Sequence, residues 1–251
     1  MTYDRITGLL KSDTEKIELS VYDELASTND TVKSFAGSGK LGVVIANRQT
    51  MGRGRLGRSF EAPEGGLYIS FIYRPEYDFT DIFSVMPLAA LCVCDTVKSV
   101  CGEDCMIKWP NDVLLYGKKI CGILAESYYK DSAGYLILGI GINFNSQLPA
   151  ELTMASSVKE LTGSETDLDD AAAHLIDSVF RLLNNTPEEN KMLMDEYRRR
   201  CVNIGRDVTV TYNGRKTDGR VTGISDSGAL IVRTGEDGSI EISSGEATLR
   251  E

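Results

Sequence analysis

Hydrophobic and polar positions in KIELSVYDEL (16–25) alternate with a period of two, which predicts a strand with one buried face. LGVVIAN (41–47) is a short continuous apolar run, the pattern of a strand buried on both faces. GLYISFIYRP (66–75) predicts a further strand, ended by Pro75. A short helix is expected over roughly residues 29–35, stopped by Gly-Ser-Gly at 37–39. DIFSVMPLAALCVCDTVKSVC (81–101) reads as a helix with Pro87 in its first turn or at a kink. CMIKWP, DVLLYG, KKICGILAESYY and GYLILGIGINFN then follow as β-rich runs, with turn signals at Asn111-Asp112 and Tyr116-Gly117. Strands this closely spaced suit an antiparallel or mixed sheet better than repeated βαβ units.

Two helices are expected next. In DDAAAHLIDSVFRLLNN (169–185), Leu175, Ile176, Val179, Phe180 and Leu183 share one face, which leaves His174, Asp177, Ser178 and Arg181 on a polar face expected to be solvated. The second helix opens at Thr186-Pro187-Glu188-Glu189, a capping box with proline at the first helical position, and runs to about Cys201. From Gly205 the pattern changes to short alternating strands separated by Asn213-Gly214, Asp226-Ser227-Gly228 and Asp237-Gly238. The fold class is therefore α+β: a mixed sheet with helices packed on it over residues 1–203, and a small β-barrel over 204–251. A barrel that small buries little core alone and is expected to lean on the larger unit.

The length of 251 residues fits that division. No apolar run approaches the ~20 residues of a membrane span, and the first residues lack the apolar stretch of a signal peptide, so a cytoplasmic location is expected. The net charge of −10 argues against general nucleic-acid binding. Six cysteines raise the question of a metal cluster. Cys92 and Cys94 lie inside an apolar run, Cys101 and Cys105 have no histidine near them, and buried free thiols are expected instead. His174 is the only histidine, so a Ser-His-Asp hydrolase and a histidine-ligated metal site are both rejected.

Against this acidic background one stretch stands out. GRGRLGR (52–58) fits G-x-G-x-x-G, with Arg48, Arg53, Arg55 and Arg58 close together and no acid between Ala46 and Phe60. A dinucleotide fingerprint needs a strand before it and a helix opening out of it. The strand is LGVVIAN, but RSFEAPEGG follows, and no helix is expected there. No Gly-Lys-Ser/Thr follows either, so it is not a Walker loop. Guanidinium groups among glycines suit close, bidentate contact with phosphate or carboxylate. The alternative is a solvated surface loop, which does not account for the segregation of charge. KWPND (108–112) pairs the only tryptophan with a cation, an extended dipeptide and a turn-forming acid, and Ser27-Thr28-Asn29 offers hydroxyls and an amide that could equally be a helix N-cap.

In order and spacing, STN (27–29), RQTMGRGRLGR (48–58), GGLYIS (65–70), KWPNDVLL (108–115), GKKICGILAE (117–126) and GIGINFN (139–145) resemble the biotin protein ligases. The resemblance implies a class II synthetase-like catalytic domain with a C-terminal Src-homology-3-like barrel. It implies activation of biotin by ATP to biotinyl-5′-AMP, then transfer to one lysine of a biotin carboxyl carrier domain. It further implies that Ser27, Thr28, Asn29 and Gln49 read the biotin ring, and that Arg53, Gly54, Arg55, Lys119, Gly122 and Gly141 complete the biotin site. Gly52, Arg53, Arg55, Phe60, Lys108, Asn111, Lys119 and Asn143 would meet the adenylate, with Phe60 against adenine and Gly139 in the floor. Lys119, Arg55 and Asp112 would be catalytic. Mg²⁺ would arrive with ATP near Asp112, with no metal site fixed by the protein alone. The candidate macromolecular partners are the carrier domain and a second copy of the chain. With 26 residues before Ser27, part of them a strand, no DNA-binding repressor domain is expected. A lipoate ligase of the same fold and a non-catalytic binding module are the alternatives.

Overall fold

The computed structural model describes residues 1–75, 85–212, 214–235 and 238–250. A seven-stranded sheet is built from β1 (Ile17–Leu25), β2 (Leu41–Gln49), β3 (Leu67–Tyr73), β4 (Met106–Lys108), β5 (Asp112–Leu115), β6 (Lys118–Lys130) and β7 (Ala133–Ile142). Its order is β1-β2-β3-β7-β6-β5-β4, with β1 and β2 parallel and every other neighbouring pair antiparallel. The β5–β6 hairpin turns at Tyr116 (φ 49°) and Gly117 (φ 78°), the pair of left-handed residues that a two-residue hairpin requires.

Strand alternation divides the sheet into two faces. Ile69 and Phe71 of β3, Cys121 and Ile123 of β6, and Leu138, Ile140 and Ile142 of β7 enter the main core. That face is covered by α1 (Tyr3–Leu9), α3 (Val85–Cys101), α5 (Leu168–Leu182) and α6 (Pro187–Arg200). The opposite face presents Ser70, Gly122, Gly139 and Gly141, the intervening positions on the same strands. It is only partly covered, by α2 (Thr28–Thr31) and a 3₁₀ turn at Val32–Phe35, whose Val32 packs with Val44, Ile72 and Ile137. The short α4 (Val158–Thr162) completes the helices of this unit. Residues 81–84 of the helix expected over 81–101 lie outside the described residues.

The face of α5 expected to be solvated is largely enclosed, and of its four polar residues only Arg181 is exposed. α1 and α3 both pack on this helix, so polar side chains there are enclosed. Asp177 is buried and accepts the backbone N–H groups of Lys11 and Ser12, and Ser178 is buried against Asp95. His174 is half-buried, with Nδ1 3.4 Å from Thr96 Oγ1. The cysteines are all free, and all but the half-buried Cys101 are buried. Burial pushes the Cys92 thiol up to about 12. Among the described residues no group of His, Cys, Asp and Glu could hold a metal, and no helix is long and apolar enough to cross a membrane.

A second sheet, β11-β10-β9-β8-β12, comprises β8 (Asp207–Tyr212), β9 (Arg215–Ile224), β10 (Leu230–Thr234), β11 (Gly238–Ile242) and β12 (Glu246–Leu249), with every described pairing antiparallel. Asn213 and Asp237 of the expected turns lie outside the described residues. The sheet is joined to the rest through buried and polar contacts. The Trp109 indole N–H donates to Gly228 O at 2.9 Å, and Arg198 Nε donates to Ile224 O at 2.8 Å.

Candidate active site

The uncovered face of the large sheet forms the floor of a cavity of about 320 Å³. Along its walls the structure brings together Ser27, Thr28, Asn29, Gln49, Arg53, Gly54, Arg55, Phe60, Lys108, Asn111, Asp112, Lys119, Gly122, Gly139 and Gly141. Two residues assigned to the site from the sequence are not on its surface. Gly52 is buried at the start of the loop, where a Cβ would meet Phe60 O at 2.4 Å. Asn143 is buried beneath, its amide N–H 3.4 Å from Ser156 O.

At one end the polar groups are short and fixed. Ser27, Thr28 and Asn29 are 4–5% exposed. Ser27 occupies the N-cap position of α2, yet its side chain makes no capping bond, so its hydroxyl is not committed to helix capping. The Gln49 carbonyl oxygen accepts from Thr28 N at 2.8 Å and lies 3.0 Å from Thr28 Oγ1. Gly139 has to be glycine here, because a Cβ would lie 2.2 Å from Asn29 Oδ1. Gly122 and Gly141, paired across β6 and β7, make room for the Phe60 ring: a Cβ at 141 would lie 2.7 Å from its edge.

At the other end the groups are cationic. Lys119 Nζ lies 2.7 Å from Asp112 Oδ1; across the β5–β6 pair Asp112 stands opposite Gly122 and Lys119 opposite Leu114, with Ile120 of β6 left over where the register shifts. The arginine loop closes the cavity from above. No α-helix follows it; Arg55–Gly57 form a single 3₁₀ turn with Leu56 at φ 56°, and the chain continues into β3. Arg55 Nη1 donates to Gly245 O at 3.1 Å and approaches Asn111 Oδ1 at 3.3 Å. Arg53 turns back to the neutral end, where its Nη2 reaches Asp30 Oδ1 at 2.8 Å and Glu126 Oε2 at 3.8 Å. Partial burial raises the Asp30 pKa, but hydrogen bonds and charge from Lys33 and Arg53 outweigh it, and the carboxyl lies below its usual range.

Further participants were not assigned to the site from the sequence. Glu126 and Ser70 sit on the cavity face of β6 and β3, and the period of two that places Gly122 there also places Glu126. Ala247 and Thr248, on the edge of the C-terminal sheet, line the cavity with Gly245. No local pattern announces them; only the tertiary fold brings β12 to the site. The Trp109–Pro110 peptide, expected as a simple extended dipeptide, is cis, an isomer that proline makes accessible.

A glycine-floored cavity that fixes neutral polar groups beside Arg53 and gathers Lys119 and Arg55 around Asp112 and Asn111, on this sheet, defines a ligase of the biotin and lipoate class. Residues 22–143 match the biotin/lipoate A/B protein ligase family, and residues 204–250 the biotin protein ligase C terminal domain. The chain is 33% identical over 228 residues to the biotin–[acetyl-CoA-carboxylase] ligase of Mycobacterium tuberculosis, covering 87% of this chain and 84% of that protein. It is 32% identical over 240 residues to the bifunctional ligase/repressor BirA of Bacillus subtilis, covering 90% and 73%. The solved biotin protein ligase of Aquifex aeolicus in complex with biotin and ATP superposes with a TM-score of 0.80 at 32% identity, covering 93% of this chain and 98% of that one. The chain belongs to the biotin protein ligase family.

Proposed function

We propose that the chain joins biotin to ATP, forming biotinyl-5′-AMP and pyrophosphate, and then transfers the biotinyl group to a lysine of a carboxyl carrier domain. The observation that carries this is the cavity's mixed lining: Thr28, Asn29 and Gln49 are fixed together with Arg53 beside them, and Lys119 and Arg55 gather around Asp112 and Asn111. A ureido ring offers one acceptor and two donors, which matches hydroxyls and amides. A dithiolane ring has no N–H or carbonyl to offer and would leave those groups unpaired, at a cost of ~1–3 kcal/mol for each buried group. This favours biotin over lipoate.

In the first step a biotin carboxylate oxygen attacks the α-phosphorus, and the bond to the bridging oxygen breaks as pyrophosphate leaves. Lys119 is placed to hold the growing charge on the α-phosphate, with Arg53 and Arg55 on the phosphate and carboxyl oxygens. In the second step the carrier amine attacks the acyl carbon, AMP leaves, and the amine loses a proton. Asp112, the carboxylate beside Lys119, would supply a single oxygen to Mg²⁺ carried in on nucleotide phosphates, which is no protein cage.

Incubation with ATP, Mg²⁺ and either biotin or lipoate, followed by mass measurement of the acyl-adenylate, tests the reading. Biotinyl-AMP is expected. Lipoyl-AMP alone would reverse the choice, and pyrophosphate release in neither case would reduce the chain to a binding module.

A further inference from the structure

Behind the neutral end of the cavity Ser70 and Glu126, which the reaction as described does not use, join Gln49, Thr28 and Asn29 into one string of polar side chains. Gln49 Oε1 is 3.0 Å from Thr28 Oγ1, which is 2.7 Å from Ser70 Oγ. Ser70 Oγ is 2.6 Å from Asn29 Oδ1, and Asn29 Nδ2 donates to Glu126 Oε2 at 2.6 Å. Ser70 is fully buried, so water cannot complete its bonding.

The protons along this string can be counted. Glu126, as a carboxylate, only accepts, so Asn29 must turn its NH₂ toward it and its carbonyl oxygen toward Ser70. A carbonyl oxygen cannot donate. An oxygen–oxygen approach of 2.6 Å needs a proton between the atoms, and Ser70 has the only one to give. With that proton spent, the 2.7 Å contact with Thr28 must be filled by the Thr28 hydroxyl proton. The longer contact, 3.0 Å to Gln49, is then the one without a hydroxyl proton, and Gln49 Oε1 keeps its bond from Thr28 N.

We infer that Glu126 is a positioning residue that sets the direction of this string, pointing every hydroxyl proton away from the cavity and making Thr28 Oγ1 an acceptor for a ureido N–H. The assignment rests on the reading of the cavity as a biotin site. Glu126 does not touch the ring; it acts through Asn29, Ser70 and Thr28. Arg53 Nη2 lies 3.8 Å from the same carboxylate oxygen. Glu126→Gln keeps the shape but loses the constraint, because an amide can present either end to Asn29. Asn29 could then turn, and Ser70 could donate to Thr28 and release the Thr28 proton toward Gln49 or the cavity.

The test is calorimetric titration of the full chain with biotin, with the two ring analogues in which one ureido N–H is replaced by oxygen, and with ATP. The wild-type protein is expected to reject one of the two analogues by about a hundredfold or more, since a site built around a donor leaves its acceptor unpaired without it. Glu126→Gln is expected to bind biotin about tenfold more weakly and to discriminate about tenfold less, with ATP affinity within about twofold. Ser70→Ala, which cuts the string in the middle, is expected to do the same. Unchanged affinity and full discrimination in Glu126→Gln would overturn the inference. An equal loss for biotin and ATP would overturn it too, by showing a general structural role. A wild-type protein that binds no biotin would instead bring down the biotin reading, and the inference with it.

Discussion

The floor of the cavity and the loop above it solve two recognition problems with opposite materials. Thr28 and Asn29 are 4–5% exposed, their side chains are short, and each is held from two strands, Thr28 from β2 and β3 and Asn29 from β3 and β6. In the loop, Met51 and Leu56 are 70% and 74% exposed, and the arginines hold on by long side chains to Asp30, Asn111 and Gly245. A neutral ring is distinguished by where its donors and acceptors sit, which demands fixed partners. An acyl-adenylate must be covered while reactive and released to an amine afterwards, which demands partners that can exchange. Ion pairs half in water exchange readily because each contributes only ~0–1 kcal/mol.

The comparison can be tested from its strongest element downward. Lys119→Ala is expected to lower adenylation by ~10²–10³ with the fold intact, because a preorganised cation is lost where charge develops; single-turnover pyrophosphate release reads this, and a near-normal rate would remove Lys119 from catalysis. Gly139→Ala pushes a methyl group to 2.2 Å from Asn29 Oδ1 and should weaken biotin binding by tenfold or more, at a stability cost of ~1–3 kcal/mol. Biotin titration and thermal unfolding would show both. Arg55→Gly removes the tie to Gly245 and should leave adenylation within about an order of magnitude of normal while biotinyl-AMP escapes and labels bystander lysines. Chromatography that finds the adenylate fully retained would deny the loop its shielding role.

The smallest effect is expected at the Arg53–Asp30 pair. Asp30→Asn should change stability by less than ~1 kcal/mol at neutral pH. The Asp30 pKa is depressed in the folded protein, so the pair's contribution is present above the ordinary carboxylate range and is lost as pH falls through the depressed value. Proteolysis at the loop arginines should therefore be flat from neutral pH down to the carboxylate range and rise only below it. A rise centred near neutrality would point to another titrating group.

The floor was legible through the resemblance of GKKICGILAE and GIGINFN, which points to Gly122, Gly139 and Gly141; Glu126 lies in the same stretch, and only the register of β6 shows that it shares the face of Gly122. The loop was legible through its charge: four arginines without an acid in an acidic chain. Two things were not legible. Asp177 and Ser178 look like solvent positions on α5 because periodicity reports a helix's own faces, not how many neighbours cover it. Gly245, Ala247 and Thr248 look like part of a remote barrel because their approach to Arg55 depends on how two units dock through Trp109 and Arg198, and no local spacing encodes that.

The most direct test of the whole account is intact-mass measurement of a biotin carboxyl carrier domain after incubation with this chain, ATP, Mg²⁺ and biotin. The account predicts one added biotinyl group per carrier, dependent on ATP and abolished when the carrier's acceptor lysine is replaced by arginine. A carrier whose mass does not change, with biotin and ATP both bound by the chain, would contradict it.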